Sequence, residues 1–234
     1  IETHLVETEP SDGILPRPVP FSVVYEDDDI LVVDKPADTP IHPSIGNYEN
    51  TLANGIAWYF EQKGEPFVYR CINRLDRDTT GLIVLAKHAL SAAVLSQAMR
   101  SREIHRTYQA FALGETAASG TIDAPIARLD GSLIQRTVDF ASGERSVTHY
   151  RTLAHCSVFS HLELNLETGR THQIRVHMAY IGHPLLGDTL YNKTPGTFPR
   201  QALHSASLSF VHPITGEPLN FHAPLPEDMQ NLLT

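Results

Sequence analysis

The chain has 234 residues, 41% of them apolar, enough for a full core in one large or two small domains. No apolar run approaches the ~18–20 residues of a membrane-spanning helix, and no secretory signal is present, so a membrane partner is not expected. The net charge of −9 is unevenly spread: ten acids against Arg17 and Lys35 fall in residues 1–40, leaving 17 acids and 16 bases in residues 41–234. Thirteen of those 16 bases are arginine, the side chain suited to forked phosphate contacts, so charge permits a nucleic-acid partner without indicating one. The two cysteines, Cys71 and Cys156, make neither a disulfide framework nor a metal-ligand spacing, and a reduced, cytoplasmic compartment is the expectation.

In chain order, residues 1–20 are acidic and hold four prolines, which predicts an extended arm or linker. Phe21 to Glu26 and Ile30 to Asp34 read as strands joined by the acidic turn Asp27-Asp28-Asp29, and Lys35-Pro36 ends the second. Asn50 is the expected cap of a helix over 51–62, where Leu52, Ile56, Tyr59 and Phe60 recur at helical spacing. Leu82 to Lys87 is a short β-branched run, a buried strand. A helix near 89–101 follows, with Leu90, Val94, Leu95, Ala98 and Met99 on one face. From Ile104 the period becomes two, with strands expected at 104–113, 121–125, 135–140, 145–154 and 157–166 and turns at Gly114, Gly120, Gly131 and Gly143. A helix over 171–181, strands near 204–211 and 217–222 and a short last helix complete the pattern. Many strands with few helices indicate an α+β fold, a mixed, mainly antiparallel sheet flanked by helices and loops.

Two polar clusters carry the chemistry. Asn73-Arg74-Leu75-Asp76-Arg77-Asp78-Thr79-Thr80-Gly81 is a loop feeding the 82–87 strand, and a carboxylate anchored at the mouth of a buried strand has the rigidity of a nucleophile or general base. An arginine–carboxylate surface network would read the same way. Glu167-Thr168-Gly169-Arg170-Thr171-His172-Gln173-Ile174-Arg175-Val176-His177 joins the leucine-rich strand to a helix, with Thr168 or Thr171 as the expected cap and Gly169 permitting the tight entry. Ile174, Met178 and Ile181 share one face and Arg175 takes another, where it can meet an anion. A helix cap with solvated arginines is the bland alternative.

Together these clusters resemble the RluA-type family of RNA pseudouridine synthases. The matching stretches run in family order: Asp34-Lys35-Pro36 with Ile41-His42-Pro43, Arg74 to Leu82, Arg106-Thr107-Tyr108-Gln109-Ala110, Thr168 to His177, and Gly182-His183-Pro184-Leu185-Leu186-Gly187-Asp188. They cover roughly residues 21–222. Asn73 departs from the histidine more common in the family.

The resemblance implies a catalytic domain over residues 21–234, reached through the arm at 1–20, with the pseudouridine synthase fold and activity. Asp76 is implied as the nucleophile or base that starts uridine isomerisation, Tyr108 as the ring against the uracil, and Arg175 as the guanidinium that keeps Asp76 ionised. Arg74 is implied to fill the gap left by the extruded uridine, and Arg170 to contact substrate. The implied partner is RNA, either large-subunit ribosomal RNA or transfer RNA, bound by a monomer without cofactor or metal. Thirteen histidines raise the question of a metal, but His172 and His177 are five apart, and His149, His155 and His161 spread over two strands. A catalytically inactive RNA-binding module on the same fold is the alternative, opposed by the presence of Asp76, Tyr108 and Arg175. Residues 1–9, Ile1 to Glu9, alternate partly, like the closing strand of a preceding small domain, and an upstream basic RNA-binding domain is the corresponding expectation.

Overall fold

The computed structural model describes residue 11, residues 13–194 and residues 196–233. The partly alternating stretch at 1–9 therefore lies outside the described residues. The chain divides into two compact units, one of residues 1–104 with 207–223 and one of residues 105–206 with 224–234.

In the first unit β1 (Ser22–Glu26), β2 (Ile30–Lys35) and β3 (Thr80–Ala86) pair antiparallel in that order. Every residue of β3 is buried, and Leu82 to Ala86 have no exposed surface. That is why this run is continuously apolar instead of alternating. Helix α1 (Leu52–Lys63) is capped by Thr51, one residue after the expected Asn50. The Thr51 hydroxyl accepts from the Asn54 amide and the Asn54 side chain accepts from the Thr51 amide, a reciprocal box that Asn50 has no place in. Asn54 also donates to the Leu15 carbonyl, and its own carbonyl accepts from the Arg17 amide, so residues 15–17 are tied to this helix. Helix α2 (Ala89–Arg100) buries Ser91 and Leu95 and packs Ala92, Ala98 and Met99 on the core. Leu90 and Val94 point outward, 49% and 39% exposed, because the helix rotates its alanine side toward β3.

In the second unit β4 (His105–Leu113), β9 (Phe159–Leu166), β8 (Val147–His155) and β5 (Ser119–Asp123) are neighbours in that order, all antiparallel. A hairpin of β6 (Ile126–Arg128), which the sequence reading missed, and β7 (Arg136–Val138) stands beside them. Gly120 is inside β5, not in a turn: the Tyr150 ring covers it, and a Cβ there would sit 2.6 Å from the ring. The alternation of Leu162 and Leu164 with Glu163 and Asn165 holds, but His161 is buried and stacks on Phe111. Helix α3 (Gln173–Tyr180) is shorter than expected. The strand β10 (Leu203–Val211) passes from the second unit to the first, pairs there with β11 (Pro218–His222), and α4 (Glu227–Gln230) ends the described chain. No helix among the described residues is long and apolar enough to cross a membrane.

Burial holds three imidazoles below their ordinary titration range: His42, where the Arg74 charge adds to the effect, His161, and His177. His177 donates from Nε2 to the Ala124 carbonyl and accepts from the Thr148 hydroxyl at Nδ1, each 2.8 Å, a pattern suited to the neutral ring. As pH falls below about 6.5 the unfolded chain takes up protons at these groups before the folded chain does. Their stabilisation is thus complete above that pH and is lost as pH falls through the folded values. The melting temperature should drop between pH 7.5 and 5.5, a window above that of the carboxylates; a flat or rising profile would contradict the assignment.

Candidate active site

In the first unit the loop carrying Arg74 and Asp76 is secured from both sides. Asn73 is buried and acts as an extra strand residue: its amide donates to the Leu82 carbonyl and its oxygen accepts from the Val84 amide, at 3.1 and 2.9 Å. The departure from histidine at this position thus keeps a side chain able to bridge loop and strand. Just before it, the Ile72 amide bonds to Val84 and the Ala86 amide to Arg70. On the far side Lys35, with no exposed surface, donates from Nζ to the carbonyls of Pro36 and Arg77, each at 2.7 Å. The Thr79 amide closes a turn on the Asp76 carbonyl. Leu75 is buried, Asp76 half-buried and Arg74 exposed. A carboxylate is therefore presented from a backbone pinned to two buried strands, the preorganisation that a nucleophile needs.

Other titratable groups in this unit have quieter roles. Burial holds the Asp34 carboxyl above the usual range, against the Lys35 charge and a bond from the Gly81 amide. Burial pushes the Cys71 thiol up to about 12, and its Sγ donates to the Asn73 carbonyl, an environment that disfavours the thiolate and suits a packing group. Asp27, Asp29 and His212 cluster closely, but Asp27 accepts from Tyr25, His212 and two backbone amides, which accounts for the cluster structurally.

In the second unit Tyr108 is 4% exposed, in β4 opposite Leu164. The entry to α3 differs from the expected cap. His172 occupies the cap position with a left-handed φ of 58° and gives no side-chain bond to the helix. Its Nδ1 instead meets the Tyr191 hydroxyl at 2.7 Å. Thr168 is drawn away because its hydroxyl accepts from the Val147 amide and donates to Gln173. Gln173 does the work assigned to the threonines, accepting from the Arg170 amide while its NH2 donates to Val147 and Thr148.

Arg175 is buried and grips Asp188 with two parallel bonds, Nε to Oδ2 at 2.7 Å and Nη2 to Oδ1 at 2.9 Å. Asp188 has no exposed surface and also accepts from the amides of Leu190 and Tyr191, while the Tyr191 ring lies 5.1 Å under the guanidinium. Asp188 belongs to the Gly187-Asp188 stretch quoted above, yet nothing in its spacing announces Arg175 as its partner. Gly187 precedes it at φ 68°, with the Arg200 carbonyl where any Cβ would be. Arg170 is exposed and pairs with Glu144. Arg74 and Asp76 thus share one loop of the first unit, and Tyr108, Arg170 and Arg175 belong to the second.

Residues 29–180 match the protein family described as RNA pseudouridylate synthase. The chain belongs to this family. It is 44% identical over 228 residues to the "Uncharacterized RNA pseudouridine synthase YjbO" of Bacillus subtilis (strain 168), covering 97% of this chain and 80% of that one. It is 41% identical over 241 residues to "Ribosomal large subunit pseudouridine synthase D" of Escherichia coli (strain K12), covering 97% and 74%. The structure of "Human RNA Pseudouridylate Synthase Domain Containing 1" superposes with a TM-score of 0.73 at 26% identity, covering 93% of this chain and 86% of that one. The motif order and these relatives identify an RluA-type pseudouridine synthase, an isomerase of uridine in RNA, on the α+β fold expected.

Asp188 gives the site its first test. Asp188→Ala leaves the buried Arg175 without its fork, and removing one member of a buried pair costs on the order of 3 kcal/mol. Urea unfolding should show a loss of about that size with an unchanged m-value; a loss under about 1 kcal/mol, a surface-pair value, would mean that the pair is not a determinant of the unit.

Proposed function

We propose that this pseudouridine synthase acts on large-subunit ribosomal RNA, with Asp76 as the group that starts the reaction. The observation that carries the reading is Asp76 itself, in the Arg-Leu-Asp position of a motif series in family order, on a loop pinned by Asn73 and Lys35. The resemblance to the Escherichia coli large-subunit enzyme supports ribosomal RNA as substrate, with transfer RNA the second candidate. Residues 21–234 act as one catalytic domain, entered through the arm at 1–20, and the protein works as a cytoplasmic monomer.

In this reading a uridine leaves its stack and Arg74, exposed on the same loop as Asp76, takes the space it vacates. Extrusion costs a few kcal/mol, least where pairing is weak. The Asp76 carboxylate then acts as nucleophile or base, the bond from ribose C1′ to uracil N1 breaks, and the base turns. C1′ rejoins at uracil C5, and the C5 proton leaves with Tyr108 as the facing ring. Nothing is hydrolysed, so one carboxylate suffices. Arg175 holds the Asp76 carboxylate in its ionised form, its own plane fixed by Asp188. Arg170 binds substrate.

Asp76→Asn should abolish isomerisation, followed as tritium release from uracil-labelled ribosomal RNA, while RNA affinity stays within a few-fold. Residual activity within about tenfold of the parent, 1.4 kcal/mol in the barrier, would remove Asp76 from the reaction and favour the inactive RNA-binding alternative.

Arg175 has a sharper signature. Arg175→Lys keeps the charge but cannot reproduce the fork on Asp188, so it should be impaired nearly as much as Arg175→Met. The loss should lie in single-turnover rate at saturating enzyme, not in RNA affinity. A fully active Arg175→Met enzyme would transfer the role to Arg170.

A further inference from the structure

Arg106 is a basic residue that the fold of the second unit does not account for. It stands two residues before Tyr108 in β4, so strand alternation sends both side chains to one face, about 7 Å apart along the strand. The Nη1/Nη2 edge of its guanidinium faces Gly169, where a Cβ would come within 3.3 Å of Nη1, 3.4 Å of Nη2 and 3.9 Å of Cζ. Among the described residues, its Nε is a buried side-chain nitrogen without a hydrogen-bond partner. Other arginines of the second unit are matched: Arg145 with Glu167, Arg151 with Glu163, Arg170 with Glu144. Among the described residues no carboxylate is paired with Arg106.

Arg106 is thus a half-buried guanidinium with neither counter-ion nor acceptor among the described residues, and such a group weakens a fold, since the charge and the orphaned N–H have both given up water. Stability therefore gives no reason for a cation here, whereas an incoming oxyanion would satisfy both the charge and the donors. Glycine at 169 leaves the Nη1/Nη2 edge uncovered by a side chain at that position. A planar fork is the shape that takes a phosphate by two oxygens.

We propose that Arg106 is a phosphate-binding residue for the RNA substrate, gripping one backbone phosphodiester beside the uridine that Tyr108 faces. This rests on the placement of Tyr108 at the uracil in the proposed function. Phosphate contacts set register without reading sequence. Arg106 would therefore fix how far the strand slides past Tyr108 and hold the target nucleotide's own backbone while its base is turned.

The test is an affinity cycle between side chain and phosphate. RNA binding is measured across a salt series for the parent, Arg106→Met and Arg106→Lys. Each is offered the natural RNA and RNAs carrying a single neutral methylphosphonate at successive positions around the target uridine. Arg106→Met should bind about tenfold more weakly at low salt and lose about 0.7 from the slope of log affinity against log salt, the value for one contact on a single strand. One methylphosphonate position should weaken the parent by a similar factor and leave Arg106→Met unaffected. Arg106→Lys should keep the slope and recover part of the affinity. Arg106→Met retains an apolar stem and removes the orphaned donor, so its melting temperature should equal or exceed the parent's, which a packing role would not allow.

An unchanged salt slope would overturn the proposal, as would losses from variant and methylphosphonate that add at every position. So would a lowered melting temperature with unaltered affinity. The parent's methylphosphonate scan needs no variant to fold: no weakened position near the uridine would also overturn it. Tritium release by the parent is read separately, so a positive cycle with an inactive parent would uphold the arginine's contact and remove the reaction.

Discussion

A polar loop can be rigid at the mouth of a fully buried strand only if every polar group it carries inside finds a partner there. β3 admits no water along its length, so the loop before it cannot be held by solvent. Asn73 and Lys35 meet that requirement from opposite sides, one with an amide that imitates a strand residue, the other with an ammonium that binds two carbonyls. A fully buried lysine is costly in isolation. Here it makes the loop's backbone part of the core while leaving Asp76 and Arg74 partly in contact with water.

The second unit meets the same constraint with different residues. Its loop from β9 into α3 turns through the left-handed His172, and Gln173 satisfies the Arg170 amide of that loop while tying it to the Val147 carbonyl of β8. Arg175 enters a dry site and is tolerable there because Asp188 supplies a forked partner whose remaining lone pairs are used by backbone amides. In the first unit buried polar side chains fix the backbone that carries Asp76, and in the second a buried carboxylate fixes the plane of Arg175 itself. That arrangement suits differential stabilisation of a reacting group, which rewards charges already in place.

Local pattern revealed what depends on local physics. The β-branched run of β3 and the alternation in β9 state period and burial directly, and the apolar spacing in α2 states its period and its extent. The ordered motifs around Asp76, Tyr108 and Arg175 gave the family for the same reason: they are contiguous. What escaped was decided elsewhere in the chain. Thr51 outcompetes Asn50 because Asn54 reaches back to it. Leu90 and Val94 face outward because Ala92 and Ala98 fit closer to the core. Gly120 reads as a turn until Tyr150, on the paired strand, is seen to cover it. Asp188 and Lys35 stand in quoted motifs, but their partners lie 13 and 42 residues away, beyond any spacing rule.

The reach of Lys35 has a consequence for how the enzyme comes into being. Its bond to the Arg77 carbonyl closes a segment of 42 residues, and the chain entropy lost in that closure is recovered only once β2 and β3 have zipped together. Until then the loop has its local turn but no fixed direction. A partly melted chain that has lost this pairing therefore keeps Asp76 and Arg74 on their loop without the geometry that gives them purpose, and that geometry returns only with the β2–β3 pairing.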